Sequence, residues 1–432
     1  MRREAAHAII AAKRKWTENN GGIIMEFIRE ERQTPIKDRC RVLVAGGGYA
    51  GVSAALAAAR GGADVLLLER EFILGGLGTA GLITIYLPIC DGMGHQVSFG
   101  IAEELLRLVV QNGLEGELPQ TWFREASAEE RRNGPRFMVR YNPQICALEL
   151  ERLLVRSGVR LLYGTSVCGV VKDGTRISAV IVENKSGRSA IKADCVIDCT
   201  GDADICQLSG APTALFPNRN PMAAWYYYLK DGDLQLNSLG ACDVTDNDKN
   251  KTYQRIGGSQ RVSGVDAWEN SGFLQAAHAE MLRDVLKRRE RGESCVPVTM
   301  ATIPELRMTR RLVGETDVCA RDDHRRCERS VGMFSDWTKR GPVYELPFGA
   351  LYHPSVPNLL TAGRCLSAAD DLWNVTRVIP VCAVSGEAAG TAAALGCDFP
   401  ALDIAALQET LRAQGVRGCR QDLCANLFAG SG

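Results

Sequence analysis

The sequence predicts an α/β protein in which a parallel sheet is extended by a three-stranded antiparallel meander. Residues 42–69 alternate a short apolar strand, a glycine-rich turn, an alanine-rich helix and a second apolar strand, which is the order of a βαβ unit. Residues 167–193 contain three short strands, and their connecting Asp-Gly and Ser-Gly turns favour hairpins. Residues 359–395 add another apolar strand and a helix of small residues.

The first turn has the glycine spacing of a dinucleotide-binding site. Gly46, Gly48 and Gly51 occupy the G-x-G-x-x-G positions between the Val42–Val44 strand and the following helix. The first glycine permits the tight turn, the second lets the backbone approach a pyrophosphate, and the third lets helix pack close to strand. The pyrophosphate then lies at the positive end of the helix dipole. Glu69 ends the second strand, where a carboxylate can hold the ribose hydroxyls.

The loop after the second strand distinguishes between the two common dinucleotides. Gly75, Gly76 and Gly78 continue the phosphate-facing surface beyond Glu69. An NAD-binding domain does not need this extension, whereas the elongated FAD molecule can use it. The loop therefore favours FAD as the cofactor.

Three further segments resemble the FAD-dependent oxidoreductase family, which belongs to the glutathione-reductase-like flavoproteins with the double-glycine extension. Asp198–Asp204 is similar to the D-x-T-G-D-A-D turn of that family, and Glu305–Glu315 is similar to its E-T-R-R-x-x-G-E segment. Asn358–Leu395 resembles its closing flavin-binding block, with an A-G-R turn and an R-V-x-P element. The resemblance implies a Rossmann-like FAD-binding domain and an oxidoreductase activity, and it leaves the substrate open.

The residues expected to bind FAD come from the glycine-rich turns, the meander and the closing block. In open α/β sheets, ligands bind beyond the carboxyl ends of the strands, where the turn after Asp198 and the A-G-R turn are expected. The set is Gly46, Gly48, Tyr49, Ala50, Gly51, Glu69, Arg70, Gly75, Gly76, Thr79, Val167, Thr200, Gly201, Asp202, Gly363, Arg364, Val378 and Ile379.

The order of elements predicts an interrupted domain organisation. The expected FAD-binding domain is discontinuous and comprises residues 38–98, 141–210 and 345–400. A mixed α+β substrate domain, residues 99–140 and 211–344, is inserted into it. Residues 1–37 form an N-terminal extension, and residues 401–432 form a C-terminal helix and tail. Helices are expected over Ile101–Val110, from Asn142-Pro143 to Arg156, and over Trp268–Arg289.

Composition and charge exclude several classes of function. Lys and Arg together number 51, as do Asp and Glu, so no net field attracts nucleic acid or an acidic membrane surface. No apolar run approaches the roughly 18 to 20 residues that span a bilayer. The 16 cysteines include no C-x-x-C pair, which favours buried thiols in a reducing compartment and no metal site. Residues 1–16 are expected to form a surface helix rather than a secretory signal, so a cytoplasmic protein is expected.

The helix that begins at Pro380 is expected to shape the electrostatics of the flavin site. Its positive end can stabilise the negative charge that reduction places on the flavin N1 and O2. Arg377 lies just before this helix, and the family resemblance places an R-V-x-P element there. Arg377 is therefore a catalytic candidate, with a surface salt bridge as the alternative.

Other candidate catalytic residues lie in the inserted domain and at its end. Arg307, Arg310 and Arg311 could clamp a substrate carboxylate, or they could form structural ion pairs with Glu305 and Glu315. Both interpretations remain open at this point.

Two side chains that flank the return of the chain to the FAD-binding domain are candidates for proton transfer. They are Tyr344 and His353, although such residues are more often structural, and the same holds for His95. The aromatic run Trp225–Tyr228 is expected to pack in a core or an interface rather than to form a substrate platform.

The sequence motifs limit the ways in which electrons could reach or leave the flavin. No second strand–glycine–helix unit and no redox-active cysteine pair occur, in contrast to the disulfide reductases of this superfamily. The expected function is hydride transfer between the flavin and a small organic substrate, with an external electron carrier or dioxygen completing the cycle. A flavoprotein that modifies RNA or builds a cofactor, and a non-catalytic FAD-binding redox subunit, remain as alternatives. No oligomeric state is predicted.

Overall fold

The structure is a computed structural model that describes residues 28–122, 124–240 and 261–419. Of the described residues, those from 36 onwards belong to one compact unit, and residues 28–35, which contain neither helix nor strand, belong to a separate one. The surface helix predicted for residues 1–16 lies outside the described residues.

The bounds of the elements agree with the α/β prediction. The strands are β1 (Ile36–Ala45), β2 (Val65–Leu68), β3 (Ile85–Tyr86), β4 (Leu114–Glu115), β5 (Val139–Tyr141), β6 (Arg160–Leu162), β7 (Ser166–Asp173), β8 (Arg176–Asn184), β9 (Gly187–Asp198), β10 (Thr213–Leu215), β11 (Ala224–Lys230), β12 (Asp233–Leu239), β13 (Val296–Met300), β14 (Arg310–Leu312), β15 (Ser330–Ser335), β16 (Val343–Pro347) and β17 (Leu359–Thr361). The helices are α1 (Tyr49–Arg60), α2 (Ile101–Gly113), α3 (Ala128–Asn133), α4 (Pro143–Arg156), α5 (Asp204–Ser209), α6 (Ala267–Glu290), α7 (Asp370–Thr376), α8 (Ile379–Leu395) and α9 (Ile404–Ala413).

The main sheet has seven strands in the order β6-β2-β1-β9-β8-β7, and β17 pairs with the end of β9. The pairs among β6, β2, β1, β9 and β17 are parallel, whereas β7, β8 and the start of β9 form an antiparallel meander. Strand β9 can serve both parts because it is 12 residues long. Residues 187–192 pair with β8, and residues 196–198 pair with β17. The predicted parallel sheet with a meander is confirmed.

Helices α1 and α8 pack against each other more closely than ordinary side chains allow. A Cβ atom at Gly386 would lie 2.2 Å from the carbonyl oxygen of Ala50, and one at Gly390 would lie 2.1 Å from that of Ala54. Helix α8 is buried from Pro380 to Ala393. Its small-residue sequence is therefore a requirement of packing, since any larger side chain at these glycines would separate the two helices.

The aromatic run lies in β11, the central strand of the sheet β12-β11-β13. Its side chains alternate between two faces, as the period of a strand requires. Tyr226 and Tyr228 pack in one cluster with α6, whereas Trp225 and Tyr227 pack in a separate cluster with Leu82. The expectation that this run serves packing is confirmed.

Among the described residues, no helix on its own has the length and apolarity to cross a bilayer. Helices α7 and α8 meet that requirement only when taken together, and they are bent by 91°. The proposed boundaries between FAD-binding domain and inserted substrate domain stay a prediction.

Candidate functional site

A cavity of about 600 Å³ lies at the carboxyl ends of the parallel strands. Ala45 of β1, Leu68 of β2 and Ala362 after β17 line its floor. This is the edge at which open α/β sheets bind ligands, and the volume is within the ordinary range for a cofactor or substrate site.

The three glycines of the first turn have different steric environments. Gly46 has φ +102°, and a Cβ atom there would lie 2.4 Å from the carbonyl oxygen of Cys199. A Cβ at Gly51 would lie 1.8 Å from the carbonyl oxygen of Gly46. Gly48, in contrast, lines the cavity and would place a Cβ in open space, with nothing within 4 Å. The protein itself therefore requires glycine at 46 and 51, whereas the open space above Gly48 fits a closely approaching pyrophosphate.

The N-terminus of α1 is suited to an anion. Gly48 is the N-cap residue and provides no side-chain acceptor for the first backbone N–H groups. The helix dipole adds positive potential at the same point. A diphosphate above Gly48 would therefore satisfy backbone donors that the protein does not cap.

Glu69 holds the first turn and the next loop together. Its carboxylate accepts hydrogen bonds from the backbone N–H of Gly47 at 2.6 Å and of Glu71 at 2.8 Å. Burial raises the pKa of Glu69, and these two backbone donors oppose the shift. The carboxylate also lines the cavity, and each oxygen has a lone pair left for a ribose hydroxyl.

The double-glycine loop lies directly against the first turn. The N–H of Gly75 donates to the carbonyl of Gly47 at 2.8 Å, and a Cβ at Gly76 would lie 3.2 Å from the Cα of Gly48. Both glycines have positive φ, +98° and +55°, and both line the cavity. The double-glycine loop therefore continues the cavity lining beyond β2, and that this surface faces the phosphates stays a prediction.

Asp198 organises the second turn, which follows β9. Its buried carboxylate accepts hydrogen bonds from the N–H and hydroxyl of Thr200 and from the N–H of Cys206. Thr200, Gly201 and Asp202 consequently line the cavity. Asp202 in turn accepts from the Thr309 hydroxyl at 2.6 Å, which links the turn to the inserted region.

Arg364, in the A-G-R turn, connects this turn to residues 306–307 of the inserted region. Its guanidinium donates to the carbonyls of Leu306 and Arg307 and lies 3.5 Å from Asp202. Leu306 lines the cavity together with other residues of the inserted region, namely Gly264, Asn270, Thr302, Ile303 and Pro304. One wall of the cavity thus comes from the part of the chain expected to meet the substrate.

Arg377 lies at the edge of the cavity, just before α8. Its Nε and Nη2 atoms donate to Oδ1 of Asn374 at 2.9 and 2.7 Å, and its guanidinium lies 5.6 Å from the centre of the Trp337 ring. Ile379 and Cys382, in the first turn of α8, line the cavity beside it. A full positive charge and a helix N-terminus therefore meet at this end of the site.

Arg310 and Arg311 of the inserted region pair with aspartates rather than with the expected glutamates. Arg310 pairs with Asp204 at 2.7 Å, and Arg311 lies 3.4 Å from Asp317. Burial, followed by the neighbouring aspartates, raises the pKa of Asp204 to about 6, and Arg310 opposes that shift.

The two glutamates expected to pair with these arginines differ in their surroundings. Glu315 pairs instead with Arg329 at 3.2 Å. Arg307 does interact with Glu305, whose pKa burial raises to about 8. None of Arg307, Arg310 and Arg311 lines the cavity.

The candidates for proton transfer lie away from the cavity. Tyr344 is buried and stacks on Phe334 at 5.3 Å between ring centres. His353 makes a 2.8 Å hydrogen bond with the Ser355 hydroxyl, and His95 lies 2.9 Å from Asp91. The structure brings none of the three to the cavity.

All residues expected to bind FAD line the cavity except Gly51, Thr79 and Val378. Gly51 and Thr79 instead contact the backbone of the glycine-rich loops. A Cβ at Gly51 would meet the Gly46 carbonyl, and the Thr79 hydroxyl donates to the Leu74 carbonyl. The sequence did not predict the lining residues Thr302, Ile303, Pro304 and Leu306, although they adjoin or belong to the recognised Glu305–Glu315 segment. That the remaining residues contact FAD stays a prediction.

Comparison with known proteins gives one family and several remote structures. The family model described as FAD dependent oxidoreductase matches residues 41–222 and 229–411. No curated protein matches the sequence. A geranylgeranyl bacteriochlorophyll reductase-like structure from Thermoplasma acidophilum has a TM-score of 0.46 and 14% identity, over 88% of this chain and 82% of that chain. A triple mutant of the flavin-dependent brominase Bmp2 has a TM-score of 0.44 and 12% identity, over 87% and 84%.

Proposed function

Since this chain belongs to the FAD dependent oxidoreductase family, whose cofactor is FAD, we propose that it moves a hydride between the flavin and a small organic substrate. The observation that carries this proposal is the composition of the cavity. The same 600 Å³ space touches the glycine turns and also the inserted residues Asn270, Thr302, Ile303, Pro304 and Leu306. A substrate entering along the inserted wall would reach the flavin without leaving the cavity.

The residues of this chain divide into those that hold FAD and those that tune it. Gly48, Glu69 and the Thr200–Asp202 turn would hold the diphosphate and ribose parts, for the steric and hydrogen-bonding reasons given above. FAD, when bound, supplies the hydride or electron chemistry. Arg377 and the N-terminus of α8 would add positive potential at the cavity, where they would stabilise added negative charge.

The inserted wall is suited to hold the substrate and exclude water. Ile303, Pro304 and Leu306 are largely apolar, whereas Asn270 and Thr302 offer hydrogen-bonding groups. Such a mixture is typical of sites for small molecules, in which apolar contact supplies affinity and a few polar groups orient the ligand.

The electron route is proposed to include a second reactant from outside the protein. In the described residues, the main sheet carries one glycine-turn βαβ unit, formed by β1, α1 and β2. A dedicated NAD(P)H domain is therefore not part of the proposal. An external carrier or dioxygen would accept or supply the electrons that the substrate exchanges with the flavin.

The test is anaerobic bleaching of the flavin. Purified FAD-loaded protein is mixed with a panel of small metabolites, and the loss of flavin absorbance is followed. We expect stoichiometric bleaching by at least one organic compound and none of comparable rate by NADH or NADPH alone. The Asn270→Ala and Thr302→Ala variants test the substrate side of the cavity. Each should bleach more slowly than wild type while binding FAD normally.

Two outcomes would contradict the proposal. Rapid, complete reduction of the flavin by NADH or NADPH alone would contradict the proposal that an external carrier or dioxygen completes the cycle. A flavin that no compound in the panel bleaches, while a chemical reductant does, would favour the non-catalytic redox subunit instead.

A further inference from the structure

Helix α6 has apolar side chains on two opposite faces. Phe273, Ala277, Met281 and Val285 are buried and pack against the sheet that contains β11. On the other side, Trp268 is 79% exposed, Leu282 60% and Leu286 48%. A helix that is apolar on both faces is usually covered on both. In the described residues, nothing covers the outer face.

The exposed apolar residues Trp268, Leu282 and Leu286 belong to one stripe along the helix. Residues separated by alternate steps of four and three lie on one face of a helix, as in a coiled coil. The stripe consists of Trp268, Gly272, Gln275, Ala279, Leu282 and Leu286. At about 100° per residue, its centre lies opposite the buried face, so it is the outermost part of the helix.

The stripe is complementary to itself when two copies are antiparallel. Trp268 then faces Leu286 of the second copy, and Leu282 faces Gly272 of the second copy. Gln275 faces Ala279 of the second copy. Each large side chain of the outer pairs therefore meets an apolar or a small one, and every contact occurs twice about a two-fold axis, as in an isologous dimer.

The charges of α6 favour the same orientation. Asp266 caps the helix, and the cations Lys287 and Arg289 lie in its last turn. Glu269 and Arg288 add nothing to this asymmetry, because Glu269 is paired with Arg219 and Arg288 with Asp284 and Glu293 of the same chain. Antiparallel packing places the acidic end of each helix beside the basic end of the other, and it also opposes the two helix dipoles. Parallel packing would place like charges together.

We propose that the outer stripe of α6 is the interface between two copies of this chain, packed as an antiparallel helix pair. The stripe runs from residue 268 to residue 286 of the 24-residue helix, which is a length of about 27 Å. The N-terminal end of α6 also contributes Asn270 to the cavity wall. The proposed interface therefore lies next to the site, on the opposite side of the same helix.

The first test is the mass of the full-length, FAD-loaded protein in sedimentation velocity at micromolar concentration. The expected mass is twice the 46.9 kDa of one chain. The Leu282→Glu/Leu286→Glu double variant should sediment as one chain, with the dimer dissociation constant raised more than about 100-fold, because two charges per copy would be buried. Both leucines are exposed, so flavin absorbance should confirm that the variant folds.

The matched control is Leu148→Glu, which changes a leucine that is 68% exposed on α4 and should leave the dimer intact. A wild-type protein that sediments as one chain overturns the proposal. So does a dimer that survives the double substitution.

The second test addresses the orientation of the helices. Positions 272 and 282 lie about 15 Å apart along one helix, so they cannot join within a chain. In the antiparallel pair they meet across the interface. The Gly272→Cys/Leu282→Cys double variant should therefore give a covalent dimer under mild oxidation, joined between positions 272 and 282. A dimer without this linkage, in a variant that still associates, would overturn the antiparallel arrangement.

Discussion

Single residues in the first turn show which requirements come from the fold and which come from the ligand. Gly46 and Gly51 are fixed by backbone atoms within 2.4 and 1.8 Å of a hypothetical Cβ, whereas Gly48 has nothing within 4 Å. The sequence predicts all three from spacing alone, because a tight turn has local rules. It could not predict that Thr302, Ile303, Pro304 and Leu306 line the same cavity, since they lie more than 200 positions from the first turn.

Gly48→Ala is expected to separate FAD binding from folding. The backbone at Gly48 has φ −68°, which alanine adopts without strain, so the variant should fold with unchanged stability. Its methyl group enters the cavity, and we expect at least about a tenfold weaker FAD affinity, measured by fluorescence titration of the apoprotein. Gly51→Ala is the contrasting control and should lose stability as well. Equal FAD affinity in Gly48→Ala and wild type would contradict this assignment of the cavity.

Arg377→Ala is expected to lower the reduction potential of the bound flavin. The guanidinium lies at the cavity edge, anchored by Asn374 and Trp337, and its charge stabilises the reduced flavin more than the oxidised one. The potential is measured by anaerobic dye equilibration, with Arg377→Lys as a control that keeps the charge and should retain most of the wild-type potential. An unchanged potential in a folded, FAD-loaded Arg377→Ala variant would assign Arg377 a structural role only.

At the scale of elements, the sequence predicts the presence and type of each helix or strand better than it predicts their first and last residues. The helix expected over Trp268–Arg289 is observed as Ala267–Glu290, because its cap and apolar spacing are local signals. The first strand, expected over Val42–Val44, begins at Ile36, because its early residues pair with Ala190 and Ile191 of β9. Lys37, Asp38 and Arg39 have no apolar alternation, so only this long-range pairing reveals them as a strand.

The contact between α8 and α2 predicts a dependence of stability on pH. Glu387 of α8 accepts a 2.8 Å hydrogen bond from the N–H of Ile101, which begins α2. Burial raises the pKa of Glu387 from 4.5 to about 8. The folded state therefore binds this proton more tightly than the unfolded state. The resulting stability is fully present below about pH 4.5 and is lost as the pH rises through 8.

Glu387→Gln is expected to flatten this pH dependence. The wild-type free energy of unfolding should fall by about 2 to 5 kcal/mol between pH 4.5 and 9 through this group. The glutamine can still accept from Ile101 but cannot ionise, so denaturant unfolding at both pH values should show a smaller loss. Part of the pH dependence of the free energy of unfolding should remain in this variant, because the pKa of Glu305 is also raised to about 8. Glu305→Gln is therefore the matched comparison. A slope identical to wild type would show that Glu387 does not titrate in this range.

At the scale of the whole molecule, the cavity is assembled from segments spread over most of the chain. Its lining begins at Ala45 and ends at Cys382. A ligand that binds only this assembled state stabilises it by mass action, by about 2.7 kcal/mol at a concentration 100 times its dissociation constant. The family resemblance predicts the cofactor, but the convergence of these segments follows from tertiary pairing, as at β9 and β17.

Added FAD is therefore expected to raise the midpoint of thermal unfolding by several degrees. The measurement compares apoprotein with protein saturated with FAD, in the same buffer and at the same protein concentration. Gly48→Ala at the same FAD concentration should show a smaller increase. Identical midpoints for the apoprotein and the FAD-saturated protein would mean that the cofactor does not bind this assembled cavity.

The close packing of α1 and α8 has a consequence for biosynthesis. Ala54 and Gly390 touch across the helix pair, yet 336 positions separate them in the chain (390 − 54). At translation rates of 5 to 20 residues per second, the ribosome needs roughly 20 to 70 s to deliver the second helix after the first. During that interval the face of α1 that α8 later covers is exposed. The yield of mature protein would then depend on how well chaperones shield this face.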